Sequence, residues 1–385
     1  MHVKSSVLVL CAVLAVSMAA AQQPFSQGAA TAGPAVGANA VALANGWAMV
    51  AEGAADRAAT RAAEIMASDP RSGAALHLAL EAQIARSGAA GALTWYETWL
   101  ASRTMDEPAA VRRIAQAMLR EEATARTNVE ARVLAMRTLL AEGDRWASDE
   151  LARLAASPGT SPQLLAQLGY AEAVGPVVAG LESGHMDPVK ALDVLGATGN
   201  RAAARAVEAR LGDARQEVRA AAADALGRIG SADDAEALRR LLADRSLHVR
   251  LKAAGALLRL GDFSGLPFLQ ELLTDASPSI RLAAADAMAS QPDAGWQATL
   301  IDLTREPDPE IQASAARLLA PHDPATARAV LESLAQHENP AIRDLAAAGL
   351  SEVIADDLPS LRRSMHESHP LIRVRAAARV LHVTR

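Results

Sequence analysis

The chain has one cysteine in 385 residues, Cys11, and it sits inside an apolar N-terminal run. Removal of that run would leave no disulfide, no thiol nucleophile and no cysteine-ligated metal. Long hydrophobic stretches are missing too: Val7 to Val16 falls well short of the ~20 residues that a spanning helix needs. Lysine is nearly absent, 3 residues against 35 arginines, and no basic tract interrupts a formal net charge of −6. An acidic chain without a basic patch argues against nucleic acid as a partner. There is no His-Glu-x-x-His zinc motif, no Gly-x-Ser-x-Gly elbow and no phosphate loop. No catalytic residue, cofactor or metal is therefore expected.

What is there is an internal repeat. Val218, Val249, Ile280, Ile311, Ile342 and Ile372 follow one another at steps of 31, 31, 31, 31 and 30 residues. Four and five residues after each stands an alanine pair: Ala222-Ala223, Ala253-Ala254, Ala284-Ala285, Ala315-Ala316, Ala346-Ala347 and Ala376-Ala377. Apolar positions at 0, +4, +5 and +8 share one stripe of an α-helix, and small residues within it let a neighbouring helix come close. This predicts a helix A in every unit. Leu238, Leu269, Leu300, Leu331 and Leu361 mark a second helix, B. Such a hairpin cannot bury its own apolar face and must stack. Ser277-Pro278, Asp308-Pro309, Asn339-Pro340 and His369-Pro370 supply a capping residue followed by proline at a helix start. Gly196, Gly199, Gly227, Gly230 and Gly261 are read as the chain reversals after helix A.

The segment from Val218-Arg219 through Leu226-Gly227 to Ile229-Gly230 resembles the HEAT repeat, in the short form labelled phycobilisome-lyase-like. The resemblance covers residues 183–385. It implies a polar ladder between units, with acids at Asp213, Asp244, Asp275, Glu306 and Glu367 and arginines at Arg219, Arg250, Arg281, Arg343 and Arg373. Gln312 and His337 interrupt the ladder, which implies weaker coupling and a bend near the fourth and fifth units.

Residues 1–21 read as a signal peptide: Lys4, the apolar run, then Ala19-Ala20-Ala21 before Gln22. Leu10 stands where a lipobox needs a small residue, so Cys11 is not read as a lipidation site. Residues 22–40 mix Gln, Gly, Ala and Pro without a period and read as a flexible spacer. Residues 41–180 have the composition and period of helical hairpins, with breaks at Asp69-Pro70, Ser87-Gly88, Glu107-Pro108, Gly143-Asp144 and Ser157-Pro158-Gly159. Gly46, Ala58 and Pro70 resemble the small-residue and proline positions of a tetratricopeptide unit. Four of the five tryptophans, Trp47, Trp95, Trp99 and Trp146, lie in this half, so its packing differs from that of the alanine-rich array. Trp95 and Trp99, four residues apart, are expected to staple helices; a ligand-binding aromatic patch with Tyr96 is the alternative.

The expected architecture is all-α, an elongated α-solenoid of stacked antiparallel helical hairpins. His366, Glu367 and His369 are read as turn and ladder residues, and Asp233-Asp234 and Asp356-Asp357 as caps of helix B. The B helices should present a face whose exposed columns mix charge: Arg239, Arg240, Gln270, Glu271, Asp302, Glu332, Arg362 and Arg363. Alternating charge suits a protein or peptide partner better than a polyanion. The expected function is a non-catalytic scaffold, periplasmic or secreted, in a bacterial envelope. A bilin lyase or lyase subunit, implied only by the repeat's label, and an envelope polysaccharide-binding module are the alternatives.

Overall fold

A computed structural model describes residues 34–385 apart from 126–127, 158–159 and 293–294, with side chains from residue 39 onward. The expected signal peptide, residues 22–33 of the spacer, and Pro158-Gly159 lie outside the described residues. The chain divides into two units at residue 78. No strand occurs among the described residues.

The first unit is a helical hairpin, α1 (Pro34–Ala51) against α2 (Ala55–Ser68), followed by the start of α3 (Gly73–Leu100). α1 begins inside the expected spacer, so Pro34 to Ala40 are helical. Gly46 and Ala58 are buried, and a Cβ on Gly46 would meet Leu78 Cδ2 at 2.3 Å. The small residues thus mark close approach within this unit.

The second unit runs from residue 79. α3 kinks at Gly88, whose φ of 70° is a left-handed value that glycine adopts without strain. Glu121 fills the break by accepting the Ala89 N–H at 2.8 Å, which caps the second half of α3. Four helices follow: α4 (Pro108–Thr124), α5 (Val129–Ala141), α6 (Arg145–Ala156) and α7 (Pro162–Gln167). Next comes α8 (Val174–Glu182), and then the array, opening with α9 (Pro188–Thr198) and α10 (Ala204–Glu208).

Each further unit contributes an A and a B helix at the positions the period predicts. These are α11 (Gln216–Ile229) with α12 (Ala235–Arg240), and α13 (Leu247–Arg259) with α14 (Leu266–Leu272). α15 (Pro278–Met288) pairs with α16 (Trp296–Leu303), and α17 (Pro309–Leu319) with α18 (Pro324–Leu334). The last elements are α19 (Pro340–Leu350), α20 (Leu358–Met365) and a final A helix, α21 (Pro370–Val383). All twelve paired alanines are buried, as the stripe requires. Asp308 and Asn339 cap their helices by accepting N–H groups two residues on, whereas Ser277 and His369 do not.

Packing between units runs through the A helices, and successive B helices from α12 onward barely meet. The row therefore bends with the A helices inside. Glycine sets how tightly. Gly199 and Gly261 make left-handed turns as expected, but Gly196 and Gly227 lie inside α9 and α11. A Cβ at Gly227 would come within 2.6 Å of Ala256 Cα in α13, and one at Gly196 within 3.0 Å of Ala225 Cα in α11. Those two glycines permit backbone contact between neighbours; they do not reverse the chain.

The second unit does not run open from end to end as an elongated stack would. α21 packs on α4 and α5, while α4, α5, α6 and α7 lead back in sequence order to α9. The helices of residues 79–385 form a closed circuit. Val374, Ala376, Ala377, Val380 and Leu381 are wholly buried because α21 has neighbours on both sides.

Candidate functional site

The ladder is built from one repeated piece of chemistry. Asp213, Asp244 and Asp275 each accept the N–H of the residue two positions on, at 2.8–2.9 Å, fixing the turn before helix A. The arginine in the first turn of that helix gives Nη1 back to two carbonyls of its own turn: Arg219 to Asp213 and Ala214, Arg281 to Asp275 and Ala276, Arg343 to His337 and Glu338. It keeps Nε and Nη2 for the next unit. Arg219 places them on Asp244 at 2.8 and 2.9 Å, and Arg281 reaches Glu306 at 2.5 Å. Only 8% of the Arg219 side chain and 10% of Asp244 remain exposed, so the fork is held by the packing around it. Its guanidinium holds the Asp244 carboxyl below the usual carboxylate range.

Three rungs stay open among the described residues. At Gln312 the side-chain amide still donates to its own-turn carbonyl, Glu306 O, at 2.6 Å, but the amide is too short to reach onward. The other two keep their arginine. Arg250 lies over the Phe268 ring at 5.6 Å and makes no ion pair with Asp275, and Arg343 makes none with Glu367. The ladder is thus interrupted more often than Gln312 and His337 alone predict.

At the open rung of Arg343 the B helices α18 and α20 stand apart over α19, and a groove of about 790 Å³ lies between them. Arg328, Arg343 and Arg363 face it, as do Glu332, Asp344 and Glu367. Leu350, Ile354 and Ile372 supply apolar lining. Glu332 and Arg363, two of the eight expected face residues, border this groove.

The other six are placed differently. Arg239 is exposed but bridges Glu236, at 3.0 Å, and Asp262 of the following turn, at 2.8 Å through Nε. Arg240 is more exposed and lies 3.8 Å from Glu236. Gln270, Glu271 and Asp302 are exposed on α14 and α16, Asp302 with Arg305 at 3.3 Å. Arg362 is a correction: only 12% of its side chain is exposed, and it pairs with Glu97 at 3.2 Å and Asp106 at 3.0 Å. It belongs to the closure of the circuit and is not part of an open face.

That closure is polar at its margins. Glu122 of α4 accepts the Nε of Arg373, the arginine of the α21 rung, at 3.0 Å. Arg112 donates to Leu381 O at 2.5 Å and to Glu142 at 2.6 Å, and Arg385 also reaches Glu142. Arg385 first, with Arg112 beside it, holds the Glu142 carboxyl below its ordinary range. His366 Nε2 lies 2.8 Å from Glu97 Oε2. Tyr96 is fully buried and stacks on Trp99 at 5.5 Å; its hydroxyl accepts the Glu107 N–H at 2.7 Å, and burial pushes its pKa up. The aromatic cluster is a joint between α3 and the start of α4.

The inner side carries a group of charges that the sequence reading missed. Asp224 pairs with Arg228 within α11 and joins that helix to α13 through Arg259, at 2.8 Å. Asp193 is open to solvent, yet desolvation by the surrounding walls raises its pKa, and desolvation lowers that of His248 with help from Lys252. Lys190 and Lys252, two of the chain's three lysines, each stand three residues after an anchor position, 187 and 249. That shared register was the available signal. Asp234 and Asp357 accept N–H groups at 2.7 and 2.9 Å, the capping role expected of both acid pairs.

A family model described as HEAT repeats matches residues 187–257 and 297–382, and a second, described as HEAT repeat, matches residues 266–290. The protein is a HEAT-repeat protein, with an all-α solenoid as its fold. No curated protein matches it in sequence. Among solved structures, human deoxyhypusine hydroxylase in complex with glycerol is 19% identical, with 64% of this chain and 97% of that chain covered and a TM-score of 0.37. The complex of CpcE and CpcF of phycocyanin lyase from Nostoc sp. PCC7120 is 20% identical, covering 73% and 96%, with a TM-score of 0.35. An engineered protein is 22% identical, covering 85% and 94%, with a TM-score of 0.27. At such scores these likenesses carry no functional argument.

Proposed function

We propose that this is an exported, non-catalytic scaffold that holds a protein or peptide partner in the bacterial envelope. The observation that carries the reading is a HEAT array whose outer, B-helix side opens into a groove of mixed charge with apolar lining, the combination expected of a protein-binding surface. Acids and arginines alternate there in equal number, so the surface complements a patterned partner better than a polyanion. Among the described residues, no group of three or more His, Cys, Asp or Glu side chains is placed to hold a metal ion, and no helix is long and apolar enough to cross a membrane. The export half of the proposal rests on Lys4, the apolar run and Ala19-Ala20-Ala21.

Two measurements test it. N-terminal sequencing of the protein recovered from an envelope fraction should begin at Gln22; an intact Met1 on the bulk of the protein overturns export. The purified chain, used as bait in envelope extract, should retain one protein in stoichiometric amount. Retention of polysaccharide or of a tetrapyrrole in place of a protein overturns the scaffold reading.

A further inference from the structure

Where a rung is closed, a carboxylate occupies the outer fork of the arginine. Asp244 does this for Arg219, Glu306 for Arg281, and Glu122, arriving from the opposite end of the second unit, for Arg373. The last case matters most, because it shows that a rung arginine accepts a carboxylate that does not come from the next repeat. Arg343 has the same Nη1 bonds to its own turn, both at 2.8 Å, and it is exposed. It has no ion pair among the described residues, and the acid in register, Glu367, lines the same groove beyond pairing distance.

We propose that the groove between α18 and α20 is a docking site for an extended segment of a partner protein that presents one acidic residue among apolar ones, its Asp or Glu side chain taking the place at Arg343 that Asp244 takes at Arg219. The inference rests on the protein-binding reading of the array and names the chemistry of its partner. The segment lies along the groove with its carboxylate on the Arg343 Nε and Nη2 edge. Arg328 and Arg363 flank that point on either wall, while Leu350, Ile354 and Ile372 receive the apolar side chains on each side of the acid. A side-chain carboxylate fits better than a chain terminus, because every closed rung here is made by an Asp or Glu side chain. Open rungs alone do not make the site. Arg250 is also unpaired with its acid, but Phe268 lies over it and its guanidinium does not line this groove.

The probe is the chain's own ladder segment, an acetylated and amidated peptide Leu-Leu-Ala-Asp-Arg-Ser-Leu copying residues 241–247, fluorescently labelled and titrated with the full protein. An otherwise identical peptide with Asn for Asp is the control. Arg343→Gln removes the fork while keeping the own-turn bond, as native Gln312 does at the same position of the preceding unit. The Asp peptide should bind, and both the Asn peptide and Arg343→Gln should weaken binding by about tenfold or more, the loss of a charge-assisted pair. Arg250→Gln should bind like the parent. Equal affinity for the two peptides, equal affinity of parent and Arg343→Gln, no binding at millimolar peptide, or a loss at Arg250→Gln instead would each overturn the proposal. If parent and Arg343→Gln capture the same partner from envelope extract equally well, the scaffold reading survives and the groove assignment falls.

Discussion

Residues 188–259 and 309–372 are built on one repeat yet hold together differently. In the first stretch Gly196 and Gly227 bring A-helix backbones into contact, and of its two rungs that of Arg219 is closed on Asp244 while that of Arg250 is open. In the second, the residues at the Gly227 register are Ala320 and Ser351, the rungs of Gln312 and Arg343 are open, and a groove separates the B helices. The alanine pairs are the same in both. The period therefore fixes that units stack, while one glycine and one carboxylate per unit decide how firmly adjacent units hold together. Rigidity and access are set independently of fold.

The contrast breaks most directly at its tight end. Gly227→Val places branched carbon where Ala256 Cα already stands 2.6 Å from a Cβ, and backbone has to move. A loss of about 3 kcal/mol is expected, read as a lower thermal midpoint. The same change at Ala320, the equivalent register in the open stretch, should cost less. Equal losses would mean that the two stretches are packed alike.

At the closure, Glu122→Gln removes the carboxylate from Arg373 and should cost about 1.5–3 kcal/mol, the value of hydrogen bonds to a charged group. Amide exchange should speed up in α4 and α21 before it does in α11. Uniform acceleration across the unit would show that the closure is not a separate element.

Acid distinguishes closed from open rungs. Arg219 depresses the Asp244 carboxyl in the folded state, so this rung adds stability that is fully present above the unfolded value near 3.9. That stability is lost as pH falls through the lower, folded pKa. Arg219→Gln should therefore be less stable than the parent at pH 7 and approach it below about pH 4. Arg250→Gln, at an open rung, should show no such convergence in denaturant titrations.

The smallest effect is expected at the exposed B face. Arg239→Glu with Arg240→Glu gives up the bridge to Asp262 and a loose contact with Glu236, and the melting curve should scarcely move. Partner binding should be unchanged if the groove of α18 and α20 is the site. A large loss of binding with the fold intact would move the site toward α12.

The sequence made the array legible because its signal is local and repeated. The Val and Ile anchors, the alanine pairs and the Leu series place every helix from α11 onward, and the breaks of the first half coincide with helix ends or, at Gly88, with a kink. What escaped was non-local. Glu122 reads as one more acid at the end of an amphipathic helix, and nothing in its neighbourhood announces a bond to Arg373, 251 residues away. Arg362 failed for the same reason: its column is exposed in earlier units, and only the arrival of α3 and the turn at Asp106 buries it. In sequence Gly227 reads as a turn because glycine serves reversal and close approach alike, and only the position of Ala256 separates the two uses. Of the site, Glu332, Arg363 and the rung arginine Arg343 were visible as columns. The gap between them was not, since it depends on how far α18 stands from α20.

Repeat arrays ordinarily end in atypical terminal units whose polar outer faces shield the last apolar surface from water. The second unit has no need of such ends, because α21 covers α4 and α4 covers α21. Each of these two helices is the lid of the other. Removing α4 or α21 therefore uncovers two surfaces, that of the sequence neighbour and that of the helix it used to cover some 250 residues away, so that deleting α21 alone should leave a sticky product and not simply a shorter array.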